Sequence, residues 1–237
     1  MLYNLLLLQY AAHLLADFNL QPQRWCNIKE RKIISKEHLY HAIVVFVCSW
    51  AFSLTVSFCW MALLISVAHF GLDVAKSYAF QKKQLKKYLF LIDQILHLGI
   101  IAVAVVFFCW VNSFSCTKTL LFDSSTKLCF FILAIISCTR PSNIFIKKIM
   151  EFNAIISINQ GTNALIKAGR IIGTLERLLT FILIAFNQFT TVGFIIAAKS
   201  VLRFRDVDTA KTEYLLIGSL LSFSIAIFFG IGFNMLT

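Results

Sequence analysis

Apolar runs at about 2–18, 39–56, 58–75, 88–111, 128–138, 171–186, 189–198 and 214–236 fill most of the chain, separated by short polar connections. A bilayer core about 30 Å thick asks for roughly 20 apolar residues per helical crossing, and several runs approach that length. Because lipid offers the backbone no hydrogen-bond partners, such runs fold as helices. With 59% hydrophobic residues, two prolines and a mean hydropathy of +0.80 over 237 residues, the chain exceeds what one soluble core takes up. The expected fold is all-α: a polytopic transmembrane bundle of six to eight spans.

A net charge of +11 would point to nucleic acid in a soluble protein. Here the basic residues fill connections instead: Arg24, Lys29, Arg31, Lys32 and Lys36 in one, Lys76, Lys82, Lys83, Lys86 and Lys87 in another. Arg140, Lys147, Lys148, Lys167 and Arg170 repeat the pattern, then Lys199, Arg203, Arg205 and Lys211, whereas the opposite loops hold only Lys118 and Lys127. The positive-inside rule makes the basic loops cytoplasmic and the location the cytoplasmic (inner) membrane. Membrane lipids are the expected partners, and no nucleic acid. Eight spans put Met1 and Thr237 outside and require a break at Asn187-Gln188, because one helix over 171–198 would carry the Lys199–Lys211 loop to the wrong side. No secretory leader is expected, since the first run starts without a basic n-region or small-residue cleavage site. The seven cysteines are scattered, with no C-x-x-C, and read as small hydrophobes.

All five histidines lie in the first 97 residues. They form His13-x3-Asp17, His38-x2-His41, His69-x3-Asp73 and Asp93-x3-His97, spacings that put each pair on one helix face. Ionisable groups in membrane-type segments need a compensating partner. The topology brings all four pairs to the cytoplasmic end of a four-helix bundle, and bundle interiors are where inward-facing His and carboxylate side chains assemble metal sites. A lone His-x3-Asp pair is ordinarily just a hydrogen-bonded pair; four pairs at one end favour a metal. The expected ligands are therefore His13, Asp17, His38, His41, His69, Asp73, Asp93 and His97, with His38 nearest the loop and exposure its alternative. Eight donors exceed the four of a closed site and suit two ions of zinc, manganese or iron. Gln21, Lys29, Lys76 and Gln94 are candidate substrate-binding residues around the site. For each lysine taken singly, a contact with anionic lipid is the plainer reading.

The string His13-Leu-Leu-Ala-Asp17-Phe-x-Leu-Gln21 with Trp25 and Lys29, then His38-x2-His41, His69-Phe-Gly-Leu-Asp73-x2-Lys76 and Asp93-Gln94-x2-His97, resembles the bacterial membrane proteins of domain-of-unknown-function family 3307 over residues 4–110 or so. The stretch from Gly169-Arg170 through Glu176-Arg177 and Lys199 to Gly218 is similar to the tail of longer members. The resemblance implies a membrane protein and carries no activity with it. A more distant likeness joins the chain to membrane-bound metal-dependent hydrolases, although their His-Arg-x2-Thr-His-Ser element is absent here.

The expected organisation is a four-helix membrane metal-site domain over 1–112, then a poorly defined span and a cytoplasmic amphipathic connection over 113–168. C-terminal membrane helices follow over 169–237. In the last part Glu176 should meet a cation on the neighbouring helix if residues 187–188 form a hairpin. The function expected first is a metal-dependent hydrolase acting at the cytoplasmic face on a lipid, phosphoester or other membrane-proximal small-molecule substrate, with Asp17 or Asp93 as the catalytic proton acceptor. A divalent-cation transporter is the alternative, and a haem-binding or signalling subunit a further one.

Overall fold

The computed structural model describes residues 2–81, 86–112, 126–153, 163–203 and 209–236. Lys82, Lys83, Lys118, Asp123 and Arg205 lie outside the described residues, as do the side chains of Lys86, Lys87, Lys167, Arg203 and Lys211. All regular structure among the described residues is helical: α1 (Leu2–Leu14), α2 (Gln23–Arg31), α3 (Lys36–Ser53), α4 (Cys59–Gln81), α5 (Lys86–Val111), α6 (Thr126–Ser137), α7 (Arg140–Phe152), α8 (Asn163–Ala185), α9 (Phe189–Arg203) and α10 (Thr209–Asn234). A π-helical stretch, Leu15–Leu20, extends α1, and a 3-10 turn, Val56–Phe58, precedes α4.

Among the described residues, three helices are long and apolar enough to cross a bilayer: Val56–Gln81, Tyr88–Val111 and Leu215–Asn234. A fourth crossing is counted if α6 and α7, bent by 54° at their junction, form one broken span. That is fewer than the six to eight expected, for local reasons. The α1 helix gives way to the π stretch after 13 residues. The first turn of α3 holds Lys36, Glu37 and His38. Arg170, Glu176 and Arg177 interrupt α8, and the apolar part of α9 is short.

The chain divides into two compact units, Met1–Leu133 and Ala134–Thr237. In the first, α3 packs on α4, α4 on α5, and α1 on both α3 and α5, which closes a ring of four helices. Leu54 ends α3 in a left-handed conformation (φ 54°), and Ser53 braces the turn by donating to the carbonyls of Trp50 and Thr55. One half of this bundle is apolar, with Leu5, Leu8, Val45, Phe58, Met61, Ile65, Val105 and Phe108 in a single buried cluster. Within it the rings of Phe58 and Phe108 meet edge to face at 4.9 Å between centroids, the arrangement that aromatic quadrupoles favour.

In the second unit, α8 and α9 form the expected hairpin. The chain turns at Asn187 (φ 60°), a conformation asparagine tolerates better than other side chains, and Asn234 pins the turn by donating to Ile184 O and Asn187 Oδ1 at 2.8 and 3.0 Å. Glu176 and Lys199, at nearly equal chain distances from the turn, form an ion pair across it. Gly230 on α10 lies so close to α8 that a Cβ there would stand 2.6 Å from Ile184 Cγ2. Within the connection expected over 113–168, α7 is amphipathic, burying Ile146 and Met150 and exposing Lys147, Lys148 and Glu151. Residues 113–125 and 154–162 of that connection lie outside the described residues.

Candidate metal centre

Antiparallel packing brings the C-terminal ends of α1 and α4 beside the N-terminal ends of α3 and α5, so the four pairs converge at one end of the ring, opposite the Phe58 cluster. The π stretch shapes the first contribution. It carries Asp17 four residues after His13, and the two side chains meet with His13 Nδ1 3.5 Å from Asp17 Oδ1.

Asp17 Oδ1 is the centre of the cluster. It lies 3.3 Å from His41 Nε2, 3.5 Å from His69 Nε2 and 3.5 Å from His13 Nδ1, while His41 Nε2 and His69 Nε2 are 3.0 Å apart. Donor atoms bound tetrahedrally at about 2.0–2.1 Å stand roughly 3.3–3.4 Å from one another, so these spacings have the scale of a ligand set. Asp73 Oδ2 is 3.9 Å from both His41 Nε2 and His69 Nε2. A second grouping, Asp73, Asp93 and His97, adjoins the first. The rings of His69 and His97 touch, with centroids 4.0 Å apart. His13, His41, His69, Asp73, Asp93 and His97 are all buried.

Four polar atoms of the cluster, His13 Nδ1, Asp17 Oδ1, His41 Nδ1 and His97 Nε2, are buried and make no hydrogen bond. Unsatisfied buried polar atoms cost about 1–3 kcal/mol each, and native structures hold few of them outside functional sites. Such a concentration, in a donor set of imidazole and carboxylate without sulfur, fits a transition-metal ion.

His38 stands apart from this set. It is buried, where its position beside the loop suggested exposure as the alternative, and both ring nitrogens are engaged, Nδ1 by Ser35 Oγ and Nε2 by Ser77 Oγ, each at 3.0 Å. Ser77 Oγ in turn reaches Asp73 O at 3.0 Å, so His38 braces the Asp73 turn of α4. Ser35, which caps α3 by position, spends its hydroxyl on His38 and makes no side-chain cap bond.

The four residues expected to bind substrate belong to the same network. Lys29 forms an ion pair with Asp73. Lys76 Nζ donates to Asp93 Oδ2 at 2.6 Å, and Gln94 Nε2 donates to the same oxygen at 3.1 Å. The Gln94 carbonyl faces His13 Nε2 at 3.4 Å. Gln21, with its amide turned to satisfy both neighbours, donates to Asp17 O and accepts from Lys29 Nζ at 2.8 Å. Lys29 thus faces inward to a carboxylate, whereas Lys76 reaches Asp93 with its side chain still partly exposed. Ser77 escaped the sequence reading although it continues the His69, Asp73 face at the same four-residue step. No sequence signal marked the π stretch.

The second unit holds a buried polar node of another kind. Arg177, 1% exposed, donates from Nε to Cys138 O at 2.8 Å and from its terminal nitrogens to Ser222 Oγ, Asn143 Oδ1, Thr139 O and Thr174 Oγ1 at 2.7 to 3.3 Å. None of these acceptors is a carboxylate. The two carbonyls belong to the junction where α6 ends, and the guanidinium satisfies backbone groups that the 54° bend leaves open.

A chain helical throughout its described regular structure, with apolar, membrane-length helices and a buried His/Asp cluster, is the class this structure defines. Residues 5–137, more than half of the chain, match the family described as Protein of unknown function (DUF3307), and the chain belongs to that family. No curated protein and no solved structure matches it.

Proposed function

We propose that this chain is a metal-dependent hydrolase of the cytoplasmic membrane, cutting a phosphoester or another polar bond of a lipid or membrane-proximal substrate at the cytoplasmic face. One observation carries the reading: a buried carboxylate oxygen, Asp17 Oδ1, surrounded at 3.3 to 3.5 Å by three imidazole nitrogens. In this reading Asp17, His41 and His69 hold the first ion, with His13 or Asp73 as the fourth ligand, and Asp73, Asp93 and His97 offer a second position. Zinc, manganese and iron all suit these donors. When bound, the ion would supply Lewis acidity to the scissile group and acidify water.

The chain's own residues complete the site. With Asp17 committed to the first ion, Asp93 is the carboxylate placed to take a proton while the second position is empty, its Oδ2 fixed by Lys76 and Gln94. Lys29 and Lys76 bring positive charge to where an anionic head group would lie. Eight crossings require that α1, α3, α8, α9 and the bent α6–α7 pair also span, and six that three of these five do, their polar faces covered by neighbouring helices, with the basic connections inside.

The transporter reading is weaker because the apolar cluster of Leu5, Val45, Phe58, Met61, Val105 and Phe108 fills the bundle beyond the site. The polar pair Gln9 and Ser49 within that half is closed on itself, Gln9 Nε2 donating to Ser49 O and Ser49 Oγ to Gln9 Oε1. The deciding experiment is elemental analysis of the detergent-purified protein beside His69→Ala, followed by release of phosphate from phospholipid and lipid-linked phosphates. Bound metal that His69→Ala loses supports the proposal; a metal-free parent overturns it.

A further inference from the structure

Helix α2 is nine residues long, and the one residue it buries is Lys29. A short helix over the end of a bundle ordinarily anchors itself through apolar side chains; this one sends in an ammonium. Its other attachments include the Trp25 ring 5.9 Å from that of Tyr40, Gln81 Nε2 donating to Arg31 O at 3.1 Å and, with the Gln21 amide turned, Lys29 Nζ donating to the Gln21 carbonyl at 2.8 Å. Inside, Lys29 Nζ contacts Asp73 Oδ2, on the carboxylate that the second position uses and that the first could take as its fourth ligand. An ammonium and a divalent ion cannot share one carboxylate oxygen at bonding distance without strong repulsion in a buried setting.

The charge balance points the same way. Asp17, Asp73 and Asp93 face two ammonium groups, Lys29 and Lys76, so with neutral imidazole ligands the cluster carries one negative charge. One divalent ion brings it to +1, and a second would bring it to +3 unless lysines leave. Lys76, its side chain 38% exposed, can swing out by its own torsions; Lys29 is buried on α2 and leaves only with that helix, and the chain is extended on both sides of it, at Gln21 and Pro22 before it and at Lys32 and Ser35 after it. The helix can therefore lift without disturbing α1 or α3.

We propose that Lys29 is a built-in competitor for metal at Asp73 and that α2 is the lid carrying it, so that an ion taking Asp73 expels the ammonium and lifts the helix. The proposal rests on the metal-centre reading above and concerns its regulation. The lid also carries a reporter. Cys26 is half-buried on α2, and burial pushes its thiol above the ordinary range, so in the closed position it reacts slowly.

The test uses the full chain in detergent. Zinc affinity is measured by competition with a chromophoric chelator, and the rate at which N-ethylmaleimide labels Cys26 is followed by mass spectrometry. Lys29→Met keeps the side-chain stem and removes the charge; Lys29→Arg keeps the charge. Lys29→Met should bind zinc roughly tenfold more tightly than the parent and label quickly without zinc, whereas Lys29→Arg should not bind more tightly. In the parent, zinc should accelerate Cys26 labelling; coordination of zinc by the thiol would slow it, so acceleration has one cause. Zinc bound with no gain in Lys29→Met, or with Cys26 labelling unchanged in the parent, overturns the lid and leaves the metal centre standing. No zinc bound by either protein overturns both.

Discussion

His41 and His69 present their Nε2 atoms to each other at 3.0 Å, on α3 and α4. Two neutral imidazoles can sit this way only if one donates and the other accepts, which fixes opposite tautomers on two adjacent helices. His41 Nδ1 is then left buried without a partner. A cation between the two nitrogens and Asp17 Oδ1 removes the need for a shared proton.

Removal of ligands should therefore show an order. Asp17 meets three imidazole nitrogens, whereas Asp73 is already paired with Lys29. Asp17→Asn should lower metal content more than Asp73→Asn, and His38→Ala least of the histidine variants, since both His38 nitrogens are held by serines. Losses of outer partners typically change affinity about 10–100-fold, and losses of direct ligands more. Equal metal content in Asp17→Asn and the parent would remove Asp17 from the centre.

Arg177→Leu should destabilise the C-terminal unit. It strips the guanidinium from Cys138 O, Thr139 O, Asn143 and Ser222, and unpaired buried acceptors cost about 1–3 kcal/mol each; a net loss of roughly 3 kcal/mol is expected. Arg177→Lys should recover little, because one ammonium cannot reach acceptors spread around a planar fork. Thermal unfolding in detergent checks both variants, and an unchanged midpoint for Arg177→Leu would show that the junction holds without it.

Gly230→Ala tests the approach of α8 and α10. The added methyl would lie 2.6 and 2.7 Å from Ile184 Cγ2 and Cβ, and the second of these atoms is fixed to the backbone. Overpacking of this kind costs about 1–3 kcal/mol. A lowered unfolding midpoint with metal content unchanged is the expected result, and a neutral substitution would mean that the two helices part at little cost.

Topology is open to reporter fusions. Fusions after Lys87 and Arg205 should read cytoplasmic and one at Thr237 external. A cytoplasmic reading at Thr237 would reverse the sidedness assigned to the last helices.

The legible parts of this chain are those written in periodicity. The four pairs were readable because three- and four-residue steps share a helix face, and their meeting point followed from alternating helix direction. Asn187 marked the α8–α9 turn, and the ion pair of Glu176 with Lys199 followed from that hairpin. Other features depend on tertiary detail that one-dimensional pattern lacks. Lys29 and Lys76 were placed beside the site, but basic residues near a membrane look alike in sequence, so nothing showed that they would pair with Asp73 and Asp93 and not with anionic lipid. The serine partners that withdraw His38 from the cluster are common residues with no motif. Arg177 was visible as a charge within a span, but its acceptors are mostly backbone and neutral groups on other helices, and they surface only once the α6–α7 junction is folded.

The Arg177 node also bears on how the chain is assembled during synthesis. Taken alone, α8 is a poor candidate for partitioning into lipid, since an arginine near the middle of a helix opposes insertion by roughly 2.5–3.5 kcal/mol on translocon scales, and Glu176 adds to that. The groups that receive its guanidinium lie largely upstream, at Cys138, Thr139 and Asn143, and so leave the ribosome first. Integration of α8 should consequently be conditional on the preceding helix pair. Truncated nascent chains that start after Phe152 should leave α8 extractable by alkali, whereas chains that include α6 and α7 should retain it.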